Sequence, residues 1–166
     1  MISEKIEKAL NEQIMKEFYS AYLYLSMEAY FSSIDLDGYA NWFHVQAQEE
    51  RDHAMKIFNY VNFVGGRVKL LPIEQPKVDF NSPMEVLEDT LKHEQYVTKS
   101  IYDIINLAKE EKDHKTDSFL QWFVKEQAEE ENNAETNIKK LKLAGEQGSG
   151  LFMMDQEMSK RVYTPT

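Results

Sequence analysis

The chain has 166 residues, enough for one domain with its own core, and 42% hydrophobic with 29% charged residues is an ordinary globular composition. Its 29 acidic residues outnumber 19 basic ones, for a net charge of -10, which disfavours nucleic acid and suits cations as partners. It has no cysteine, so disulfides, thiolate zinc sites and cysteine-bound iron–sulfur clusters are excluded, and no stretch approaches the roughly 18 apolar residues of a membrane span.

The N-terminal segment MISEKIEKALNEQ is charged, has a helical pattern and lacks the apolar centre of a secretory signal. A cytoplasmic protein is expected. Apolar residues recurring at i, i+3 and i+4 predict a first helix over about 3–32, with Ser3 as N-cap and the stripe Ile6, Leu10, Ile14, Glu17, Ala21, Tyr24. A second helix is predicted over about 37–64, stopped by Gly65-Gly66, with the stripe Tyr39, Phe43, Ala47, Glu50, Ala54, Ile57, Val61. The stretch from about Arg67 to Asn81 has no helical period and contains Pro72 and Pro76. It is too long for a tight turn and long enough to run back along a bundle.

Ser82-Pro83 opens a third helix over about 82–111, and Glu85 completes a capping box; the stripe is Met84, Leu87, Leu91, Glu94, Thr98, Ile101, Ile105, Ala108. A fourth, over about 114–144, carries Leu120, Phe123, Gln127, Glu130, Ala134, Ile138, Leu141 and ends before Gly145. A short apolar piece at about 150–158 predicts a fifth helix, and residues 160–166 are expected to form a frayed tail. Short turns pair the first helix with the second and the third with the fourth. The long link between them makes this an all-α four-helix bundle with one crossover and a short C-terminal helix, in a single domain.

Polar residues interrupt every stripe. Each main pattern runs roughly 28 residues, and Glu17, Glu50, Glu94 and the Gln127/Glu130 pair fall within about three residues of the midpoints, an axial offset of about 5 Å at ~1.5 Å per residue. Midpoints meet at one level whether neighbours run parallel or antiparallel, so these groups form one layer. A single glutamate in an apolar stripe is ordinarily a boundary residue reaching solvent, but four helices interrupted at one level point elsewhere. Several carboxylates in a dry layer cannot all stay ionised without cations. Glu50 and His53 at i, i+3 share a helix face and can reach one ion. Carboxylate with imidazole suits iron or manganese, with zinc as a competitor. Tyr24 lies on the face of Glu17. Glu126 and Glu130 are like charges one turn apart, which a cation would relieve, and Glu49, Glu126 and Glu129 offer a further metal position beside the first. His44, His93 and His114 lack this positional support and read as structural. Three readings stay open on these residues alone: an iron-oxidising centre, a stable di-metal oxidase or peroxidase, and a helical module whose acidic layer binds no metal.

The segments Glu17-Phe18-Tyr19-Ser20-Ala21-Tyr22-Leu23-Tyr24, Gln48-Glu49-Glu50-Arg51-Asp52-His53-Ala54-Met55, Gly65-Gly66-Arg67-Val68, His93-Glu94 and Phe123-Val124-Lys125-Glu126-Gln127-Ala128-Glu129-Glu130-Glu131 together resemble the non-haem ferritins of bacteria and archaea, over about the first 158 residues. The resemblance implies a ferritin-like bundle that stores iron and oxidises Fe²⁺ with O₂ or H₂O₂ as acceptor. It implies one iron on Glu17, Glu50 and His53, and a second on the bridging Glu50 with Glu94 and Glu130, Gln127 being nearby. A third, more superficial iron would use Glu49, Glu126, Glu129 and Glu130. Tyr24 matches the family's tyrosine beside the centre and Trp122 a neighbouring aromatic. It further implies a hollow homo-oligomeric shell of about 24 copies holding a ferric mineral, with the short fifth helix lining four-fold axes. Haem-binding relatives carry a Met directly after the bridging Glu; Arg51 stands here, so no haem is expected. They and rubrerythrin-like enzymes also carry a second Glu-x-x-His on the fourth helix, where this chain has Gln127 and Glu130. A one-histidine centre favours iron in transit over a permanent cofactor.

Overall fold

Four long helices and one short one follow from the scarcity of breakers within the stripes. The computed structural model describes residues Met1 to Thr166 and contains α1 (Glu4–Ser33), α2 (Asp37–Phe63), α3 (Pro83–Glu110), α4 (His114–Ala144) and α5 (Gly148–Met158), with no strand. Side-chain caps fix three of the starts. Ser3 Oγ accepts from Ile6 N–H, Ser82 Oγ from Glu85 N–H, and Asp113 Oδ1 from Thr116 N–H, each bond of a kind whose loss typically costs about 1 kcal/mol. The expected capping box is closed differently: the Glu85 carboxylate reaches one residue past the cap and accepts from Asn81 N–H.

Inter-helix contacts give the directions. Gln13 meets Ser100 while Tyr24 meets Glu94 and Met27 meets Thr90, so α1 and α3 are antiparallel. Gln46 meets Glu130 while Tyr60 meets Thr116, so α2 and α4 are antiparallel as well. The crossover between α2 and α3 runs alongside α1. Asn11 bonds Arg67 C=O (3.0 Å) and Lys69 N–H (2.8 Å), and Ser26 Oγ donates to Lys77 C=O (2.6 Å). Its backbone polar groups are thus met where no helix can meet them.

The apolar interior is divided. One cluster, around Met27, Phe31, Tyr39, Phe43, Leu87, Leu141 and Met154, fills one half of the bundle. Another, around Ile6, Leu10, Ile57, Ile101, Leu120 and Phe123, fills the other. Between them lies the polar layer.

α5 packs against α2 and α4 through two close approaches. A Cβ at Gly38 would stand 1.7 Å from Asp155 C=O, and one at Gly150 1.8 Å from Ala144 C=O, so only glycine fits either place. Asp155 Oδ1 accepts from Tyr39 N–H (2.9 Å) in the first turn of α2, where the helix dipole favours a carboxylate. The residues after α5 are not a loose tail. Asn41 Nδ2 donates to Arg161 C=O (3.0 Å), Arg161 reaches Glu49 (2.6 Å), and Thr166 N–H donates to Asp52 (3.3 Å), so this segment straps along α2. Its polar composition concealed an acidic helix face waiting for a counter-ion.

Candidate metal centre

The layer brings Glu17, Glu50, His53, Glu94, Gln127 and Glu130 together, all buried. Each comes from near the middle of its helix, so backbone hydrogen bonding on both sides holds it rigidly. One ligand atom each of Glu17, Glu50 and His53 lie within 4.8 Å of one another, and the same holds for Glu50, Glu94 and Glu130. Glu50 belongs to both groups. His53, Glu126 and Glu130 form a further group on the α2–α4 side.

A belt of hydrogen bonds orients these side chains. Gln46 Nε2 donates to Glu130 (2.8 Å) and Glu50 (3.2 Å), drawing two carboxylates from different helices together. Gln13 Nε2 donates to Glu17 Oε1 (2.8 Å), while its carbonyl accepts from Ser100 Oγ (2.6 Å), which in turn accepts from Lys16 (2.8 Å). Gln127 donates to Glu94 Oε2 (3.0 Å) and to Thr98 (3.2 Å), so it steadies the Glu94 carboxylate. Tyr24 O–H donates to Glu94 Oε1. His53 Nδ1 lies 3.2 Å from Glu50 Oε2, and Trp122 meets the His53 ring edge to face at 5.4 Å.

What is left unsatisfied is informative. Glu17 Oε2 and His53 Nε2 are buried with no hydrogen-bond partner, as are Tyr39 O–H and Gln46 Oε1, and the first two belong together to one three-residue group. Native proteins rarely leave such atoms orphaned unless chemistry uses them. Carboxylate oxygens and one imidazole fit a hard-to-borderline divalent ion such as iron.

The electrostatics agree. Burial, then the neighbouring Glu94 charge, pushes Glu130 up to about 8, and burial pushes Glu94 up to about 7 despite the bonds from Tyr24 and Gln127. Burial and Glu94 hold Glu50 well above the usual carboxylate range. Burial pulls His53 down, but Glu50 and the other carboxylates around it win and raise it. Two ionised carboxylates within 4.8 Å of each other repel by at least roughly 3 kcal/mol at an effective dielectric of ~20, so positive charge in the layer would be favoured.

The residues of the expected peripheral position are less assembled. Glu126 Oε1 lies 3.6 Å from His53 Nε2. Glu129 is exposed, and Glu49 is engaged by Arg161. Sequence reasoning missed Gln13, Gln46 and Arg161. Both glutamines stand four residues before a ligand glutamate on the same helix face, a legible signal; nothing in the sequence tied Arg161 to Glu49. His93 is bonded to Ser20 Oγ (2.7 Å), and burial lowers it to about 4.

Comparison with known proteins agrees with this geometry. The model of the ferritin-like domain matches residues 7–144. The bacterial non-haem ferritin of Campylobacter jejuni is 44% identical over 156 residues, covering 94% of this chain and 93% of that one. The Staphylococcus aureus protein of the same name is 39% identical over 163 residues, 98% of each. A crystal structure of an open-pore ferritin from the hyperthermophilic archaeon Archaeoglobus fulgidus superposes with a TM-score of 0.95 at 50% identity, covering 97% of this chain and 98% of that one. An engineered closed form of the A. fulgidus protein gives 0.97 at 50% identity, covering 99% and 100%. A bundle with one crossover, a buried carboxylate–histidine layer and relatives matched from end to end make this chain a member of the ferritin family.

Proposed function

We propose that this protein stores iron and oxidises it on entry, at a di-iron ferroxidase centre within each subunit. One observation carries the reading: Glu50 is the carboxylate shared by the two fully buried ligand groups, as a carboxylate bridging two ions must be. Glu17, Glu50 and His53 would hold one Fe²⁺, and Glu50, Glu94 and Glu130 the other, with Gln127 and Tyr24 orienting Glu94. Each Fe²⁺ loses one electron; O₂ takes two electrons and two protons to become H₂O₂, or H₂O₂ takes two electrons and two protons to become water. Anionic ligands favour Fe³⁺ over Fe²⁺, which supplies driving force. Glu130 and Glu94, with values of about 8 and about 7, exchange protons readily near neutrality as charge enters and leaves.

Fe³⁺ then leaves through a peripheral position on Glu49, Glu126, Glu129 and Glu130 into the cavity of a shell of about 24 subunits in the cytoplasm. The excess of acidic residues favours cation accumulation there. The test is to add excess Fe²⁺ to metal-free protein in air and size the product. A soluble assembly carrying many irons per subunit is expected. A small species retaining about two irons per chain would instead identify a stable di-iron enzyme.

A further inference from the structure

The C-terminal segment places a fixed cation on a carboxylate of the peripheral position. Arg161 Nη2 donates to Glu49 Oε2 (2.6 Å), Nη1 donates to Trp42 C=O (3.2 Å), and the guanidinium lies 4.1 Å over the Trp42 ring. Its backbone is held too. Asn41 Nδ2 donates to the carbonyls of Ser159 (3.3 Å) and Arg161 (3.0 Å), and Tyr163 O–H donates to Asp52 (2.5 Å). Both partners of the ion pair are more than four-fifths buried, so the guanidinium is positioned rather than one of many conformers of a free surface side chain. Stacking, a backbone acceptor and a buried ion pair together make this a cation with which any second cation at Glu49 must compete.

We propose that Arg161 is an intramolecular competitor for metal at Glu49, so that the strap sets the affinity of the peripheral iron position. This rests on the reading of Glu49 as a peripheral ligand. A metal ion arriving at Glu126 and Glu130 shares the Glu49 carboxylate with Arg161, which already neutralises it through Oε2, and the pair regains its full strength when the ion departs. The position is thereby kept weak, which suits transit. Asn41, Trp42 and Asp52 act as positioning residues that hold the competitor in place.

The test titrates metal-free, full-length protein with Zn²⁺ by calorimetry, which reads binding without oxidation. In Arg161→Gln the weakest binding event tightens by about tenfold, the scale of losing one charge-assisted hydrogen bond, while the tight events are unchanged. Arg161→Lys falls between. Lys160→Gln removes an adjacent positive charge that pairs with Glu157 instead, and leaves the weak event where it was. In a Trp122→Phe background, emission from Trp42 changes only over the weak event, as the guanidinium shifts on its ring. An unchanged or weakened event in Arg161→Gln overturns the proposal, as does an equal shift in Lys160→Gln. Glu49→Gln separates the two layers of the argument. If it abolishes the weak event while Arg161→Gln does nothing, the peripheral position stands and only the competition fails. If the weak event survives Glu49→Gln, both fall.

Discussion

Replacing Glu94 by Gln should stabilise the metal-free protein at pH 8 and destabilise it near pH 4.5. Burial raises Glu94 to about 7 from an ordinary 4.5, so between those values the folded state binds more protons than the unfolded one. Stability from this group is complete below about pH 4.5 and is lost as the pH rises through 7. At 1.36 kcal/mol per unit the loss amounts to about 3 kcal/mol. A glutamine at this position keeps the Tyr24 bond but turns an N–H toward Gln127 Nε2, which itself donates to Glu94 and Thr98. One lost hydrogen bond costs about 1 kcal/mol. The balance is a loss of about 1 kcal/mol near pH 4.5, a gain of about 2 kcal/mol at pH 8, and a reversal of sign between about pH 5 and 6. For a chain of this size the gain is a rise of roughly 5 °C in midpoint, readable by circular dichroism. Zn²⁺ at about 100 times its Kd should stabilise the parent by about 2.7 kcal/mol and the variant far less. A variant destabilised equally at both pH values would refute the claim that the layer is electrostatically frustrated without metal.

Other outcomes follow from single contacts. Glu50→Ala and His53→Ala should each lose rapid Fe²⁺ oxidation, followed by stopped-flow absorbance, with helicity and assembly retained. Gln46→Leu removes the donor shared by Glu50 and Glu130 and should weaken metal binding by about 10–100-fold in a Zn²⁺ titration. Gly38→Ala drives a methyl into the Asp155 carbonyl and should cost about 1–3 kcal/mol in denaturant unfolding, with loss of protection from hydrogen exchange concentrated in α5.

The bundle was legible because its signals are strong and agree with one another. Long 3.6-residue stripes, Ser3 and Ser82 as caps, and Gly65-Gly66 as a stop all point to the same boundaries, and helix length alone puts the polar interruptions at one level. What escaped the sequence was whatever depends on contacts far apart in the chain. The pairing of Arg161 with Glu49 spans more than a hundred residues, and nothing local marks either side chain. The C-terminal segment reads as frayed from its sequence because polarity looks alike whether it faces water or an acidic helix face. Gln13 and Gln46 went unremarked although each stands four residues before a ligand, since glutamine is unremarkable on a helix until the neighbouring stripe shows that it faces inward. The peripheral position was the least legible: Glu126 and Glu129 belong to an acidic run that reads as a solvated helix face, where acidic residues need no special cause.

The division of the core into two apolar halves has a consequence for helix length. A layer of mutually repelling carboxylates contributes little cohesion of its own, so each half must hold the four helices together independently. Helices of 27 to 31 residues leave several turns on either side of the layer. At ~1.5 Å per residue that is roughly 20 Å of ordinary packing above and below. Helices half as long would hold the same ligands with too little packing to keep them apart from water and from one another. The length of the bundle is therefore a working part of the polar layer, like the two abutments that let a bridge carry an open span.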